Sequence, residues 1–217
     1  MRIGVISDTH LPGPIAEVSD LGGRTLEVFA DVDLIMHAGD VVLPRVLDWC
    51  EQFAPVVCSL GGQDHFTDPR CDRVQYVEHA GWRVGMVHDV EAIPAHIDTP
   101  RQLAAEVYGD ASLDILIAGD SHYERLVHRD ETLLLDPGSP TFPHHQRTRL
   151  GSVALLELTA DGVRAELVPL GDTPDAPNPT TPAAITYDRS GLIEASVAGE
   201  PVDRMAFRSP RAPRLRV

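Results

Sequence analysis

Aspartate and histidine recur where the apolar runs of this chain stop. The first run ends in Asp8-Thr9-His10, and the second carries His37 and ends in Gly39-Asp40. A third is followed by Gly61-Gly62-Gln63-Asp64-His65, another ends in Val87-His88-Asp89, and a later one in Gly119-Asp120-Ser121-His122. A carboxylate beside a buried run is costly unless something positive meets it. Carboxylate and imidazole together form a donor set that suits Mn, Fe, Zn, Ni or Co rather than Ca. Residues i and i+2 of an extended segment share a face, so Asp8 could point with His10, and Asp120 with His122. Singly these pieces are ordinary. A Gly-Asp after a strand is usually a turn or a helix cap, and a histidine there is more often hydrogen-bonded structure than a ligand. Several runs delivering the same two residue types is a stronger signal, because such a carboxylate cluster repels itself without cations.

Buried strands must position these residues. Residues 2–7, 33–40, 55–62 and 113–120 each read as one, and 73–89 as two strands around a turn at Ala80-Gly81. Residues 125–139 read as a hairpin turning near 129–131, and 152–170 as one turning at Asp161-Gly162. Helices are expected within 20–30, with Ser19 or Asp20 as N-cap, around 43–53, and over 101–109. The early half alternates strand and helix, and the later half is mostly antiparallel strand. That order predicts an α/β sandwich of two sheets with helices outside. Helices are few for the number of strands, so the sheets must also cover each other. Ligands of such sheets bind at the carboxyl ends of the strands, where the Asp and His residues lie. The first domain is expected over residues 1–171. From Asp172 a Pro/Thr-rich stretch reads as a linker, and 185–199 could add a hairpin around Ser190-Gly191. The tail 204–217 carries Arg204, Arg208, Arg211, Arg214 and Arg216. It reads as a solvated or disordered end, the sharper alternative being a clamp on an acidic body or partner.

Composition narrows the partners. The 217 residues carry a formal net charge of -15, which argues against a general nucleic-acid or anionic-membrane surface. A phosphate-bearing substrate stays compatible where metal ions supply local positive charge. All 18 basic residues are arginine, which reads as the codon bias of a GC-rich genome. Cys50, Cys58 and Cys71 show no C-x-x-C spacing, so a reducing cytoplasm is expected. The apolar start stops at Asp8, unlike a signal peptide, and no apolar run is long enough to span a bilayer.

The order DTH, HAGD, a Gly-Gly-x-Asp loop, VHD, GDSH and DPGSP resembles the calcineurin-like metallophosphoesterase superfamily, most similarly its compact bacterial phosphodiesterases. The resemblance covers about residues 1–170. It implies a four-layer α/β/β/α sandwich with two divalent metal ions (Mn, Fe, Zn or Ni). By this resemblance Asp8, His10, Asp40 and His122 hold the first metal, Asp40 bridges, and His88 binds the second. Three positions depart from the family pattern. Gly62 stands where an asparagine binds the second metal, Asp120 where a histidine does, and Asp89 where glycine is usual. Asp136-Pro137-Gly138-Ser139 replaces an Asn-Pro-Gly-Ser turn. Asp120 is suited in charge to the second metal, and Gln63, Asp64 or His65 could replace the lost amide if the loop shifts by one residue.

With both metals bound, a hydroxide held between them would attack phosphorus in line, with Asp40 as the bridge. His65 is the candidate acid for the leaving oxygen, and Arg147 and Arg149 the candidate contacts to a small phosphoester or nucleotide-like substrate. Phosphodiester hydrolysis is the favoured reading. A fold-retaining interaction scaffold without efficient catalysis, as in a retromer subunit of this fold, is the alternative. A one-metal hydrolase is the third. An oligomer is compatible with all three.

Overall fold

The computed structural model of the chain describes residues 1–13, 16–89, 100–109, 113–147, 150–171 and 177–210. Its elements run β1 (Arg2–Ile6), a 3-10 turn (Val18–Leu21), α1 (Gly22–Phe29), β2 (Leu34–His37), α2 (Arg45–Cys50), β3 (Val56–Ser59), β4 (Cys71–Asp72), β5 (Val74–His79) and β6 (Trp82–Val87). Then come α3 (Pro100–Tyr108), β7 (Ile115–Ile117), β8 (Glu124–Arg129), β9 (Thr132–Pro137), β10 (Ser152–Leu158) and β11 (Val163–Pro169). The last described elements are β12 (Ala183–Asp188), β13 (Gly191–Val197), β14 (Glu200–Pro201) and β15 (Ala206–Arg208).

Among the described residues these strands form two sheets. One has nine strands in the order β14-β13-β12-β11-β10-β1-β2-β3-β4, the other six in the order β15-β8-β9-β7-β6-β5. The period-2 pleat sorts side chains between layers. In β7, Ile115 and Ile117 face the space between the sheets, with Ile3, Val5, Met36 and Leu156 of the facing sheet. Leu116 turns the other way, onto Leu103 of α3. On the first sheet, Ile6, Ile35 and Val56 pack outward against Phe29 of α1 and Leu47 of α2. The result is the expected four-layer α/β/β/α sandwich, held by three apolar interfaces.

Element boundaries are shorter than the apolar runs, because each run includes the turn that follows its strand. Asp20 does not cap α1. It lies in the preceding 3-10 turn, where its carboxylate accepts from the Glu17 N–H at 3.3 Å. The segment past the proline-rich stretch builds onto both sheets. β12 pairs with β11, and β13 and β14 extend that edge. The expectation of a free, solvated tail is corrected for its first part. β15 pairs with β8, Met205 is buried in the inter-sheet core with Phe207 against it, and Ser209 is buried. Their apolar side chains outweigh the flanking arginines there. Residues 172–176, with Arg211, Arg214 and Arg216, lie outside the described residues.

Candidate metal centre

Two sets of parallel strands end at one edge of the sandwich. β1, β2 and β3 run parallel in the first sheet, and β6 and β7 in the second. Asp8 and Asp40 follow β1 and β2, and both are buried. His88 follows β6 and is buried too, while Asp120 and His122 follow β7.

The side chains meet across the inter-sheet gap. His88 Nε2 lies 3.4 Å from Asp40 Oδ1 and 3.4 Å from Asp120 Oδ1. His10 Nε2 lies 3.7 Å from Asp40 Oδ2 and 3.7 Å from Asp8 Oδ1. His122 Nε2 lies 3.6 Å from Asp8 Oδ1 and 3.1 Å from His10 Nε2. Two groups of potential ligand atoms fit within 4.8 Å: Asp8 with His10 and His122, and Asp8 with Asp40 and His88. Asp40 turns one oxygen to His10 and the other to His88.

The backbone brings them together differently from the sequence expectation. Asp8 (φ 54°), His10 (φ 43°), Asp40 (φ 53°), Asp120 (φ 64°) and His122 (φ 57°) are all left-handed. The pairs therefore converge through turns, not along one face of an extended strand. Asp and His enter this region more readily than most residues, at a cost of order 1 kcal/mol or more each. Hydrogen bonds hold them there. The Asp8 N–H donates to Gly39 O at 2.9 Å and the His10 N–H to Asp40 O at 3.0 Å. Ser139 Oγ donates to Asp8 O at 2.7 Å, and Thr141 Oγ1 to Thr9 O at 2.6 Å. Gly119 leaves room for the cluster, since a Cβ there would sit 2.0 Å from Ser7 Oγ and 3.0 Å from Asp8 Oδ2.

Each histidine is oriented by its other ring nitrogen. His88 Nδ1 lies 2.7 Å from Ala38 O, and His122 Nδ1 lies 2.7 Å from Phe142 O. A carbonyl only accepts, so both Nδ1 atoms carry hydrogen, and Nε2 is the ring nitrogen left to bind a metal once any proton on it is displaced. His37 is different. Its Nδ1 accepts from the Gly39 N–H at 3.1 Å, and its Nε2 donates to Thr9 Oγ1 at 3.2 Å. Burial lowers its pKa to about 4, so it is a neutral brace for the turn before Asp40.

Two buried groups point into this space without a hydrogen-bond partner among the described residues: Asp8 Oδ1 and His88 Nε2. A bare carboxylate oxygen and a bare imidazole nitrogen are groups that a divalent cation satisfies. The charges agree. Burial would push Asp40 up, but the His88 imidazole and the Gln63 N–H hold it down at about 2. Burial opposes charge on His88, yet Asp40 and Asp8 raise its pKa to about 9. Asp120 is raised, first by burial and then by Asp89, Asp8 and Asp40 around it. Metal-free, the cluster recruits protons to balance its carboxylates. Its residues fit a bound divalent metal.

The other predicted residues fall out unevenly. Asp120 sits at the rim, 42% exposed, facing His88 but in neither group of ligand atoms. Its backbone N–H donates to Asp8 Oδ2 at 3.1 Å. His65 and Arg147 are exposed, and among the described residues neither makes a hydrogen bond or ion pair with the cluster. Arg149 lies outside the described residues. The one-residue loop shift does not occur for Asp64. Its Oδ2 accepts from the N–H groups of Asp40 at 3.0 Å and Gly61 at 2.8 Å, and its Oδ1 from Val42 at 2.8 Å. Those bonds occupy Asp64 as the tie that fixes the Asp40 turn. Gly62 and Gln63 are exposed, and the Gln63 N–H donates to Asp40 Oδ1 at 3.0 Å.

Sequence reasoning missed Thr141 and Phe142. The Phe142 ring stands edge-on to His122 and His10, at 5.2 and 6.0 Å between centroids. The signal was the Asp-Pro-Gly-Ser turn just before them. Asp136 in that turn is fully buried, accepting from Ser121 Oγ at 2.7 Å and the Gly138 N–H at 3.0 Å.

A model of the calcineurin-like phosphoesterase superfamily domain matches residues 1–161. A probable metallophosphoesterase from Methanothermobacter thermautotrophicus is 34% identical over 171 residues, covering 79% of this chain and 94% of the relative. The structure of vacuolar protein sorting 29 from Cryptosporidium parvum superposes with TM-score 0.67 at 19% identity, over 87% of this chain and 98% of that one. A novel archaeal phosphodiesterase superposes with TM-score 0.55 at 20% identity, over 77% and 100%. By its sequence match, its sandwich and its Asp/His cluster, the chain belongs to the calcineurin-like phosphoesterase superfamily, a match that supports a metal-dependent phosphoesterase.

Proposed function

We propose that the protein hydrolyses a phosphodiester in a small or nucleotide-like substrate, using two divalent ions bridged by Asp40. Asp8, His10 and His122 would complete the first position, and His88 and Asp120 the second. The observation that carries this reading is Asp40, whose two oxygens divide between His10 and His88 beside the bare Asp8 Oδ1 and His88 Nε2. Two such ions, when bound, make water a nucleophile at neutral pH and neutralise charge on phosphoryl oxygens.

The chain's own residues do the rest. Asp40 stays ionised and spans both positions. The Ala38 and Phe142 carbonyls fix the His88 and His122 rings, so both Nε2 atoms face the cluster. Phe142, 40% exposed beside His122, offers an apolar wall for an aryl or nucleobase group. His65 is the candidate proton donor to the leaving oxygen, and Arg147 and Arg149 the candidate clamps on substrate oxygens.

Hydrolysis of bis-p-nitrophenyl phosphate with added Mn, Fe, Zn or Ni tests the reading, with Asp40→Asn expected to lose at least about 100-fold. Gly62 and the rim position of Asp120 favour a second reading, a scaffold that keeps the fold. No turnover with any of the four ions would overturn the hydrolase reading and favour the scaffold.

A further inference from the structure

We propose that the segment beyond the family domain positions His122 for the first metal, acting through Glu124 as a positioning residue. The proposal deepens the two-ion reading above, on which the meaning of a first position rests.

The His122 ring is set by its own backbone and by the Phe142 carbonyl, 2.7 Å from its Nδ1. Both lead to Glu124. Along the chain, Glu124 begins β8 two residues after His122, and its carbonyl accepts from the Ser209 N–H at 2.9 Å. Across space, the loop that carries Phe142 returns to Glu124 through His144. His144 Nδ1 is buried and lies 3.5 Å from Glu124 Oε2. Its ring stacks on Tyr123, the residue between His122 and Glu124, with centroids 4.5 Å apart. The ligand and the carbonyl that orients it therefore share one anchor.

Glu124 is fully buried, so its carboxyl oxygens need donors. Ser152 Oγ lies 2.8 Å from Oε1 but also 2.8 Å from Pro137 O, and its one proton serves one acceptor at a time. Thr180 Oγ1 donates to Oε1 at 3.3 Å, and Ser209 Oγ donates to Oε2. His145 leaves the Thr180 proton free for this bond. Its Nδ1 accepts from the Arg147 N–H at 3.1 Å, so its Nε2, 3.5 Å from Thr180 Oγ1, carries the hydrogen. Asn178 holds the same loop from outside, its Nδ2 donating to Leu150 O at 3.1 Å and Gly151 O at 2.9 Å. The Gly151 N–H in turn donates to Pro140 O at 3.0 Å. Asn178, Thr180 and Ser209 all lie beyond the 1–161 family match. His88 is oriented from elsewhere, by Ala38 O. Loosening Glu124 therefore falls on the first metal position and spares the second.

Metal-free protein reads the positioning directly. In the EDTA-treated chain, the carbon-bound ring protons of His122 and His88 give separate NMR signals. Thr180→Val and Ser209→Ala each remove one hydroxyl donor, and each should move the His122 signals well beyond any change at His88. Thr180→Ser keeps the hydroxyl and should restore the natural spectrum. Ile185→Ala, which opens a hole in the inter-sheet core, should lower the unfolding midpoint and move neither ring. In zinc titrations against a chromophoric chelator, Thr180→Val and Ser209→Ala should weaken one of two bound ions about three- to tenfold and leave the other. Should either variant fail to fold, Asn178→Ala is read by the same signals. Unmoved His122 signals in the folded variants, equal movement at His88, or equal weakening of both ions would overturn the proposal. A natural chain that binds a single zinc ion contradicts the two-ion reading instead, and the metal-free spectra then decide the positioning by themselves.

Discussion

Gly61 and Gly62 are adjacent, and neither needs a glycine backbone conformation, yet the site treats them oppositely. A Cβ on Gly61 would lie 2.2 Å from Asp40 Oδ1, 2.6 Å from Asp40 N and 2.8 Å from His88 Nε2. A Cβ on Gly62 meets nothing within 4 Å. Relieving the Gly61→Ala overlap requires a shift of about 1 Å, because close-packed interiors have no slack. The loop cannot supply it freely. Asp64 ties the N–H groups of Gly61 and Asp40 together, and the Gln63 N–H is bonded to Asp40 Oδ1. The shift therefore falls on Asp40 and His88. Displacement of this size at a catalytic site costs about 100-fold, and overpacking adds about 1–3 kcal/mol of instability. Competition with a chromophoric chelator for Zn or Mn measures the effect, with urea unfolding alongside. Gly61→Ala should lose about 10- to 100-fold in affinity for at least one ion. Gly62→Ala should match the natural protein within about 0.5 kcal/mol. A Gly61→Ala protein that bound and hydrolysed normally would refute the placement of Asp40 and His88 as ligands.

Further expectations follow from the same geometry. Asp64→Ala strips the acceptor from three backbone N–H groups and should cost about 2–4 kcal/mol in urea unfolding; Asp64→Asn, which keeps one oxygen, should cost less. Ser139→Ala removes the donor to Asp8 O and should destabilise by about 1–2 kcal/mol while weakening metal binding, as chelator competition would show. In EDTA-treated protein, the raised pKa of His88 gives stability that is complete below its ordinary value of 6.5 and lost as pH rises through about 9. The lowered pKa of Asp40 gives stability present above 3.8 and lost as pH falls through about 2. Melting temperature against pH should therefore fall on the alkaline side without metal, and bound metal should remove that fall because neutral imidazole is the ligand. Truncation after Asp203 removes buried Met205 and the bond from Ser209 Oγ to buried Glu124. It should cost about 3 kcal/mol or more in the same unfolding assay.

Residue type and order made most of the architecture legible. β1, β2 and β3 are short apolar runs ending in Gly or Asp, and the Asp161-Gly162 and Ser190-Gly191 turns marked the β10–β11 and β12–β13 hairpins directly. β4 and β15 were not legible, because two or three residues carry no periodicity. β15 exists because Met205 and Phe207 find the inter-sheet core, a tertiary fact. At the metal centre the ligand types could be read, but not how they converge. Left-handed backbone at Asp8, His10, Asp40, Asp120 and His122 is set by bonds to residues far along the chain, such as Ser139 on Asp8. The same blindness hid Asp64, whose carboxylate looks like a ligand in sequence and serves as a backbone tie in the fold.

The central claim is that this cluster holds two ions with Asp40 between them. A crystal structure of protein loaded with Mn or Zn, with anomalous difference maps, tests it most directly. The account predicts two peaks, one against His10 and His122 and one against His88, both in contact with Asp40. A single peak, or ions bound without Asp40, would contradict it.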